Sequence, residues 1–564
     1  MRSPRLLSKS GIIFANITPA LNSNLKIKRK LSKVKGIGMH MRKPWQSSLA
    51  NMLFCLFLTF SIVHCGTSGS DTTDGNTQVN NESGYTGPVT DFSDYVFDEP
   101  AVSGHTFYID PVDGSDGGDG SAENPWRTLQ QVVEDGLIQY YRHAEANDPE
   151  SELIIVNENA PVKGGDRLLL RSGYHGHIAL NTFIFTEWLT IAAQEGHTPV
   201  LSQFKLEGAF EKIYLKDFTI LKDSYQGPGN YWEADEINHN SDACLYLASS
   251  SFWGPGSRVK VNGLHVGTTT DASSWTAGDW VQKSAAGIAL RSVTYCEIVN
   301  CRIENTSFGL NIEYASDHTA AVGNTIKYYS GDGCRLISND VYLAYNTITD
   351  CLKVDDNHDD AIQSYSRGED NSPGTGVLYN NVVRGNLIIG TTDFGNPLAG
   401  SPQGLGCFDG FFDGWIVENN VVIVDHYHGI SFYGMRNSYI LNNTVVDQNH
   451  DNDISPWIMI TDHKNGTPSQ NCIMANNIAY RSVSASGDNV TEAHNFVVGR
   501  DNPELLYDLF ADPDHFDFHL LAGFQTAESI IDQGEFFTDM TSSEMDRDGV
   551  ARTAPPDLGA YEAD

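Results

Sequence analysis

From Ile213 onward the chain alternates apolar and polar positions in short runs, each closed by Asn, Asp or Gly. Alternation with a period of two predicts strands, and the frequent turn residues leave no room for long helices. One set of runs opens on a small residue: GIALR at 287, GLNIEY at 309, GCRLIS at 333, AIQSYSR at 361, GLGCFD at 404 and GISFYGMR at 429, with WIMITDHK at 457 continuing the series. Aligning these runs by the small residue predicts an inward column of Ile288, Leu310, Ile362, Leu405 and Ile430. The alternate positions then face out: Ala289, Asn311, Arg335, Gln363, Gly406 and Ser431, followed by Arg291, Glu313, Tyr365, Phe408 and Tyr433.

A second pattern interleaves with the first. Asn-x-Ile/Val or a close variant recurs at Asn324, Asn346, Asn386, Asn420, Asn443 and Asn477, at intervals of 22, 40, 34, 23 and 34 residues. The shorter intervals match one coil of a solenoid and the longer ones a coil with a loop insertion, so each coil offers at least two strands. Stacked coils bury their aliphatics inward, and Asn supplies turn hydrogen bonds. The chain is therefore all-β, organised as a solenoid over residues 105–500.

Composition changes this picture only at the N-terminus. Residues 1–65 hold 11 Lys and Arg and no acidic residue, so the remainder carries 25 basic against 72 acidic residues, a net charge of −47. Such a surface repels nucleic acid and anionic lipid, which removes both as partners. The basic start and the apolar run MLFCLFLTFSIV at 52–63 predict an export signal rather than a membrane span. Cys65, followed by a polar tether, resembles the acylated cysteine of bacterial lipoproteins, although His64 stands where a small residue is usual. The expected organisation is an N-terminal extension with a signal or lipoprotein-type peptide over 1–65, a disordered linker over 66–104, the solenoid, and a C-terminal cap over 501–564. Localisation follows as exported: secreted, periplasmic, or lipid-anchored in the outer membrane. The seven cysteines that follow Cys65, Cys244, Cys296, Cys301, Cys334, Cys351, Cys407 and Cys472, are odd in number and form no C-x-x-C pair, so they read as small buried core residues.

The opening YIDPVDGSDGGDGSAENPWRTL, the segment GGDRLLLRSGYHG and the ending DRDGVARTAPPDLGAYEAD resemble segments of exported bacterial proteins of the right-handed parallel β-helix superfamily. This superfamily includes pectate lyases, alginate lyases, mannuronan epimerases and pectin-type hydrolases. The resemblance implies a single-stranded right-handed parallel β-helix acting, as a monomer, on an acidic polysaccharide without an organic cofactor. The many Asp clusters, Asp110, Asp113, Asp116 and Asp119 among them, bring Ca²⁺ into consideration, with Asp332, Asp359 and Asp360 as the expected ligands.

Candidate chemistry concentrates in DDNHDDAIQSYSRGED, residues 355–370, just ahead of and along one outward strand. Cleaving a uronate polymer by β-elimination requires neutralising the C5 carboxylate, removing the C5 proton and protonating the leaving oxygen. Arg335, Gln363, Arg367, Arg436 and Lys353 are the candidate substrate-binding groups. His358 or His428 would take the proton, and Tyr365 or Tyr433 would return one. Glycoside hydrolysis through the Asp residues is the alternative enzyme chemistry. C5 epimerisation or glycan binding without catalysis are the remaining readings. Trp232, Trp253, Trp275 and Trp280 fall in long loops that either wall the groove or anchor to the core. No P-loop, dinucleotide fingerprint, G-x-S-x-G or H-E-x-x-H motif occurs.

Overall fold

The computed structural model describes residues 95–563 except 146–147, 236–242, 251, 253, 450–453, 524–528 and 538–543. The apolar run expected to be an export signal, Cys65, the expected linker as far as residue 94 and Trp253 lie outside the described residues. Stacked parallel strands build a β-helix, with three strand series where the sequence pattern promised at least two. The first series runs through Ile288–Arg291, Leu310–Glu313, Cys334–Ile337, Asp360–Tyr365, Gln403–Asp409, His428–Tyr433 and Trp457–Thr461. The second includes Ala320–Val322, Tyr342–Ala344, Val382–Arg384, Ile416–Glu418 and Tyr439–Leu441. The third contains 12 strands, from Gly173–Tyr174 to Phe496–Val497. Its members are short and follow a turn directly, so alternation alone does not separate them from the strand before.

The recurrent Asn residues sit at the turn between the second and third series. Each Oδ1 accepts from both the backbone N–H and the side-chain amide of the Asn one coil earlier: Asn324 from below Asn346, then Asn346 on Asn386, Asn386 on Asn420, Asn420 on Asn443, Asn443 on Asn477 and Asn477 on Asn495, all at 2.9–3.0 Å. Each amide's second hydrogen goes to a backbone carbonyl, as Asn386 Nδ2 does to Leu343 O at 2.9 Å. The ladder thus satisfies buried polar groups that a turn under a sheet would leave open. The residue before each ladder Asn is left-handed: Gly323, Tyr345, Gly385, Asn419, Asn442 and Asn476 have φ between 52° and 69°. That requirement explains the Asn-Asn pairs, because Asn tolerates this conformation better than most residues with a Cβ.

The inward column is buried as expected, with Cys334 completing it between Leu310 and Ile362. All seven described cysteines are free and buried. At the N-terminal end the helix Leu129–Glu134, capped by Thr128, inserts Leu129 and Val132 into the same core.

Two expected boundaries change. Residues 95–104 are not linker: they lie along the second series, where Tyr95 donates to Glu297 (2.7 Å), Lys216 pairs with Glu99 (2.7 Å) and Lys260 donates to Asp98 O (2.6 Å). Basic and aromatic groups on successive coils hold this acidic, aromatic segment, and no periodic signal in the segment announces it. The 501–564 segment does not cap the last coil end-on. It packs along the third sheet, where Leu506, Phe510, Phe518 and Leu558 cover Ile389, Val421, Ile423 and Val446. Buried Arg552 fixes it there, donating to Asn419 Oδ1 (3.0 Å) and Gly559 O (2.9 Å) beside Glu562.

Candidate active site

Strand register gives the outward face its chemistry. Ala289, Asn311, Arg335, Gln363, Gly406 and Ser431 are successive partners along the first series, the column expected from the alternation, and Met459 follows. The second expected column is only partly formed. Glu313 pairs with Ile337, and a register shift after Ser364 sets Asp409, not Phe408, opposite Tyr365. The extra residue frees Phe408 to meet Tyr433 (5.2 Å, edge-on) and His428 (4.7 Å).

At the head of the strands stands a column that simple alternation does not reveal: Asp332, two residues before its strand, and Asp360, Gln403 and His428, each the first residue of its own. Asp360 pairs with Gln403 directly, and the continuing register aligns the other two. Successive members are about 5 Å apart, one strand spacing. On three of these rungs the residue three places on reaches back to its column member. Arg335 Nε binds Asp332 Oδ2 (2.6 Å), Gln363 Nε2 donates to Asp360 Oδ2 (2.9 Å), and Ser431 Oγ meets His428 Nδ1 (2.9 Å). On the fourth rung that residue is Gly406.

Glycine is required there for contact reasons. A Cβ at Gly406 would lie 2.6 Å from Asp360 Oδ1, 2.7 Å from Phe408 Cε2 and 3.2 Å from Gln403 Oε1. Asp360 therefore leans across from its own rung over Gly406, facing Gln403. Both Asp360 Oδ1 and Gln403 Oε1 are buried without a hydrogen-bond partner. A proton on Asp360 relieves the meeting of two acceptors. Burial, and secondly the charge of Asp332, raise Asp360 well above the ordinary carboxylate range. Gly406→Ala is expected to displace this carboxyl and lower activity by about tenfold to a hundredfold, a range set by misplacing a reacting group by about 1 Å. Unchanged kcat in the folded variant would show that Asp360 need not occupy this position.

The other groups differ in state. Asp359 is pushed up to about 6, chiefly by burial, against the hydrogen bond and charge of Lys353 (3.2 Å). Burial raises Asp332 too, with Arg335 opposing it. His426 and His428 are each lowered to about 4, first by burial and then by neighbouring histidines, so both are neutral at pH 7. His358 is 61% exposed, with Nδ1 3.9 Å from Asp360 Oδ2.

The structure thus gathers His358, Asp359, Asp360, Gln363, Asp332, Arg335 and Lys353 around one patch, with His428, Phe408 and Tyr433 on the following rungs. Arg367 lies beside it, donating to the Tyr365 hydroxyl (3.2 Å) and lying over Tyr314. Arg436 stands on a separate short sheet, Val377–Tyr379, Phe411–Asp413 and Met435–Arg436, with its guanidinium 3.7 Å from the Phe411 ring centre. The carboxylates considered for Ca²⁺ are each taken up by an internal partner: Asp332 by Arg335, Asp359 by Lys353 and Asn357, and Asp360 by Gln363. Among the described residues no group of three His, Cys, Asp or Glu side chains is arranged to hold a metal ion. Trp275 and Trp280 meet edge-on in a satellite cluster with Leu352, next to Lys353.

Sequence reasoning missed Gln403, which falls in no expected strand, and the importance of Gly406, which alignment placed in the outward column without a function. The discoverable signal was a spacing: Asp-x-x-Arg, Asp-x-x-Gln and His-x-x-Ser recur at the head of three strands. Tyr427, Trp457 and Arg481 were missed as well.

No family model matches the chain, and no curated protein matches it. Among solved structures, the pectate lyase Pel9A aligns over 82% of this chain and 98% of its own, at 12% identity and a TM-score of 0.39. A rhamnogalacturonan lyase covers 70% of this chain and 87% of its own, at 14% identity and 0.37. The GH136 lacto-N-biosidase from Eubacterium ramulus covers 70% of this chain and 67% of its own, at 12% identity and 0.40.

Proposed function

We propose that this chain is an exported polysaccharide-degrading enzyme that cleaves a uronate-containing polymer, of the alginate or pectate type, by β-elimination. The observation that carries the reading is that one face sets His428, held by Ser431 (2.9 Å) and lowered to about 4 chiefly by burial, two rungs from the neutral amide of Gln363, which is bonded to an Asp360 carboxyl that burial raises well above the ordinary carboxylate range. A base and a neutral hydrogen-bond donor are what elimination beside a carboxylate needs at the same time.

Ser431 Oγ accepts from Trp457 Nε1 (3.0 Å) and lies 2.9 Å from His428 Nδ1; this mechanism uses the tautomer in which Nδ1 donates to Ser431 and the lone pair of His428 lies on Nε2. Nε2 takes the C5 proton, the C4–O bond breaks with its electron pair on the leaving oxygen, and a C4–C5 double bond forms. Tyr433 O–H gives its proton to that oxygen and regains one from solvent. Gln363 faces the substrate carboxylate as a neutral group, backed by the buried Asp360, while Arg335 and Lys353 compensate Asp332 and Asp359. An acidic chain thereby presents a floor without the repulsion its net charge suggests.

Hydrolysis is the second reading, favoured by one observation: Asp360 and Asp359 are two neighbouring carboxyls with different proton affinities. Their acid limbs separate the two. Elimination needs unprotonated His428 and should persist until the pH falls through about 4, whereas a base role for Asp359 fails as the pH falls through about 6. The test is a panel of alginate, pectate, glycosaminoglycans and neutral glycans, followed by ultraviolet absorbance of the new double bond and by reducing ends. Both signals together establish elimination; reducing ends alone establish hydrolysis; neither signal removes the cleavage reading.

A further inference from the structure

Nearly every cation around the groove is spent on an internal acid or hydroxyl. Arg335 is held by Asp332 and Glu313, Lys353 by Asp359, Lys464 by Asp409 (2.8 Å), and Arg367 by the Tyr365 hydroxyl. Arg481 differs. Its guanidinium lies over two rings, 5.3 Å from Tyr427 and 5.1 Å from Trp457. It forms no ion pair among the described residues, and its Nη1 is shut from water without a hydrogen-bond partner. With Nη1 closed off, the edge formed by Nε and Nη2 is the one a carboxylate can reach, and its geometry suits a two-pronged bond.

The rings beneath it belong to the same face as the candidate site. Tyr427 and Trp457 stack at 5.6 Å with an interplanar angle of 20°, Tyr427 is exposed, and Trp457 pairs with His428 in strand register. Trp457 also meets the His428 ring edge-on at 5.1 Å and donates to Ser431, the residue that orients His428. The platform is therefore continuous with the proposed base, one rung further along.

We propose that Arg481, laid over Tyr427 and Trp457, is a carboxylate-binding subsite at the later-coil end of the groove, and that it selects a uronate unit over its neutral counterpart. The rings take the apolar face of the sugar, and Arg481 binds the carboxylate. The subsite rests on the reading of this face as a uronate-polymer groove, and it supplies the unspent positive charge that an acidic chain needs to hold an anionic polymer.

The test is calorimetric titration of the full chain in a Tyr433→Phe background, which keeps the ring but removes the proposed proton donor. The probes are short oligomers of galacturonate, mannuronate and guluronate, each beside its carboxyl-reduced neutral form. One acidic oligomer should bind more tightly than its neutral form. Arg481→Gln should weaken the acidic oligomer at least about tenfold, the worth of a charge-assisted bond, and leave the neutral one unchanged. Arg481→Lys, which keeps the charge without the planar stack, should recover part of the loss. Equal weakening of both forms, or no weakening in a variant with an unaltered melting temperature, overturns the subsite. So does the absence of any acidic preference. If polysaccharide is still cleaved in that last case, the cleavage reading stands and only the subsite falls; cleavage of no polymer removes both.

Discussion

His428→Ala is expected to lower the elimination rate by about a hundredfold to ten-thousandfold, the usual contribution of a positioned general base, while His358→Ala leaves most of the activity. The sequence offers the two histidines equally, and their surroundings separate them. His428 is partly buried, depressed to about 4, oriented by Ser431 and ringed by Phe408 and Trp457. His358 is mostly in solvent and lies nearest a carboxyl. The His428 ring is fixed in space and free of a proton at neutral pH, the two conditions a base must meet before substrate arrives. The loss should appear in kcat with little change in KM, since the ring acts on the transferring proton. Retained kcat in a folded His428→Ala chain would remove this mechanism. Asp360→Asn sharpens the comparison. An amide still donates a hydrogen bond but delivers no proton, so elimination should survive it far better than hydrolysis would.

Asn386→Ala is expected to destabilise the fold by about 3–6 kcal/mol, the sum of leaving two or more buried donors unpaired. Asn386 Oδ1 accepts from Asn346 N and Nδ2, and Asn386 Nδ2 donates to Leu343 O and Asn420 Oδ1. Truncation strands both Asn346 donors in a fully buried turn, where no side chain replaces the lost acceptor. Urea unfolding of Asn386→Ala beside a surface control such as the exposed Asn159→Ala measures the difference. A loss under about 1 kcal/mol would mean that the ladder is redundant with the strand hydrogen bonds on either side. The cost falls on a central coil, so it should also lower cooperativity between the two halves of the solenoid, whose stability is carried by neighbour-to-neighbour contacts.

These two residues mark different depths of legibility. Asn386 belongs to a repeat visible as spacing, because every coil must solve the same local problem with the same local means: a left-handed residue followed by an Asn. His428 is visible as a residue type in an outward-facing strand, but its proton state depends on His358, Phe408 and Trp457, which come from other coils. Asp360 shows the gap more sharply. Its sequence neighbours suggest a solvated acidic loop or a metal ligand. Its raised proton affinity comes first from burial, which the missing Cβ of Gly406 one coil after permits, and then from Asp332 one coil before.

The sequence by itself determined the solenoid, the strands of the first series, the inward column, the first outward column and the Asn turns, because each depends on a period or on turn chemistry confined to a few adjacent residues. Only the tertiary structure decided the docking of residues 95–104 and 501–564, the bulge that moves Phe408 onto His428, the place of Gln403 and the unpaired guanidinium of Arg481. Those features depend on which side chains meet across coils of unequal length, and on the burial and charge that result, and no local pattern in the chain encodes either.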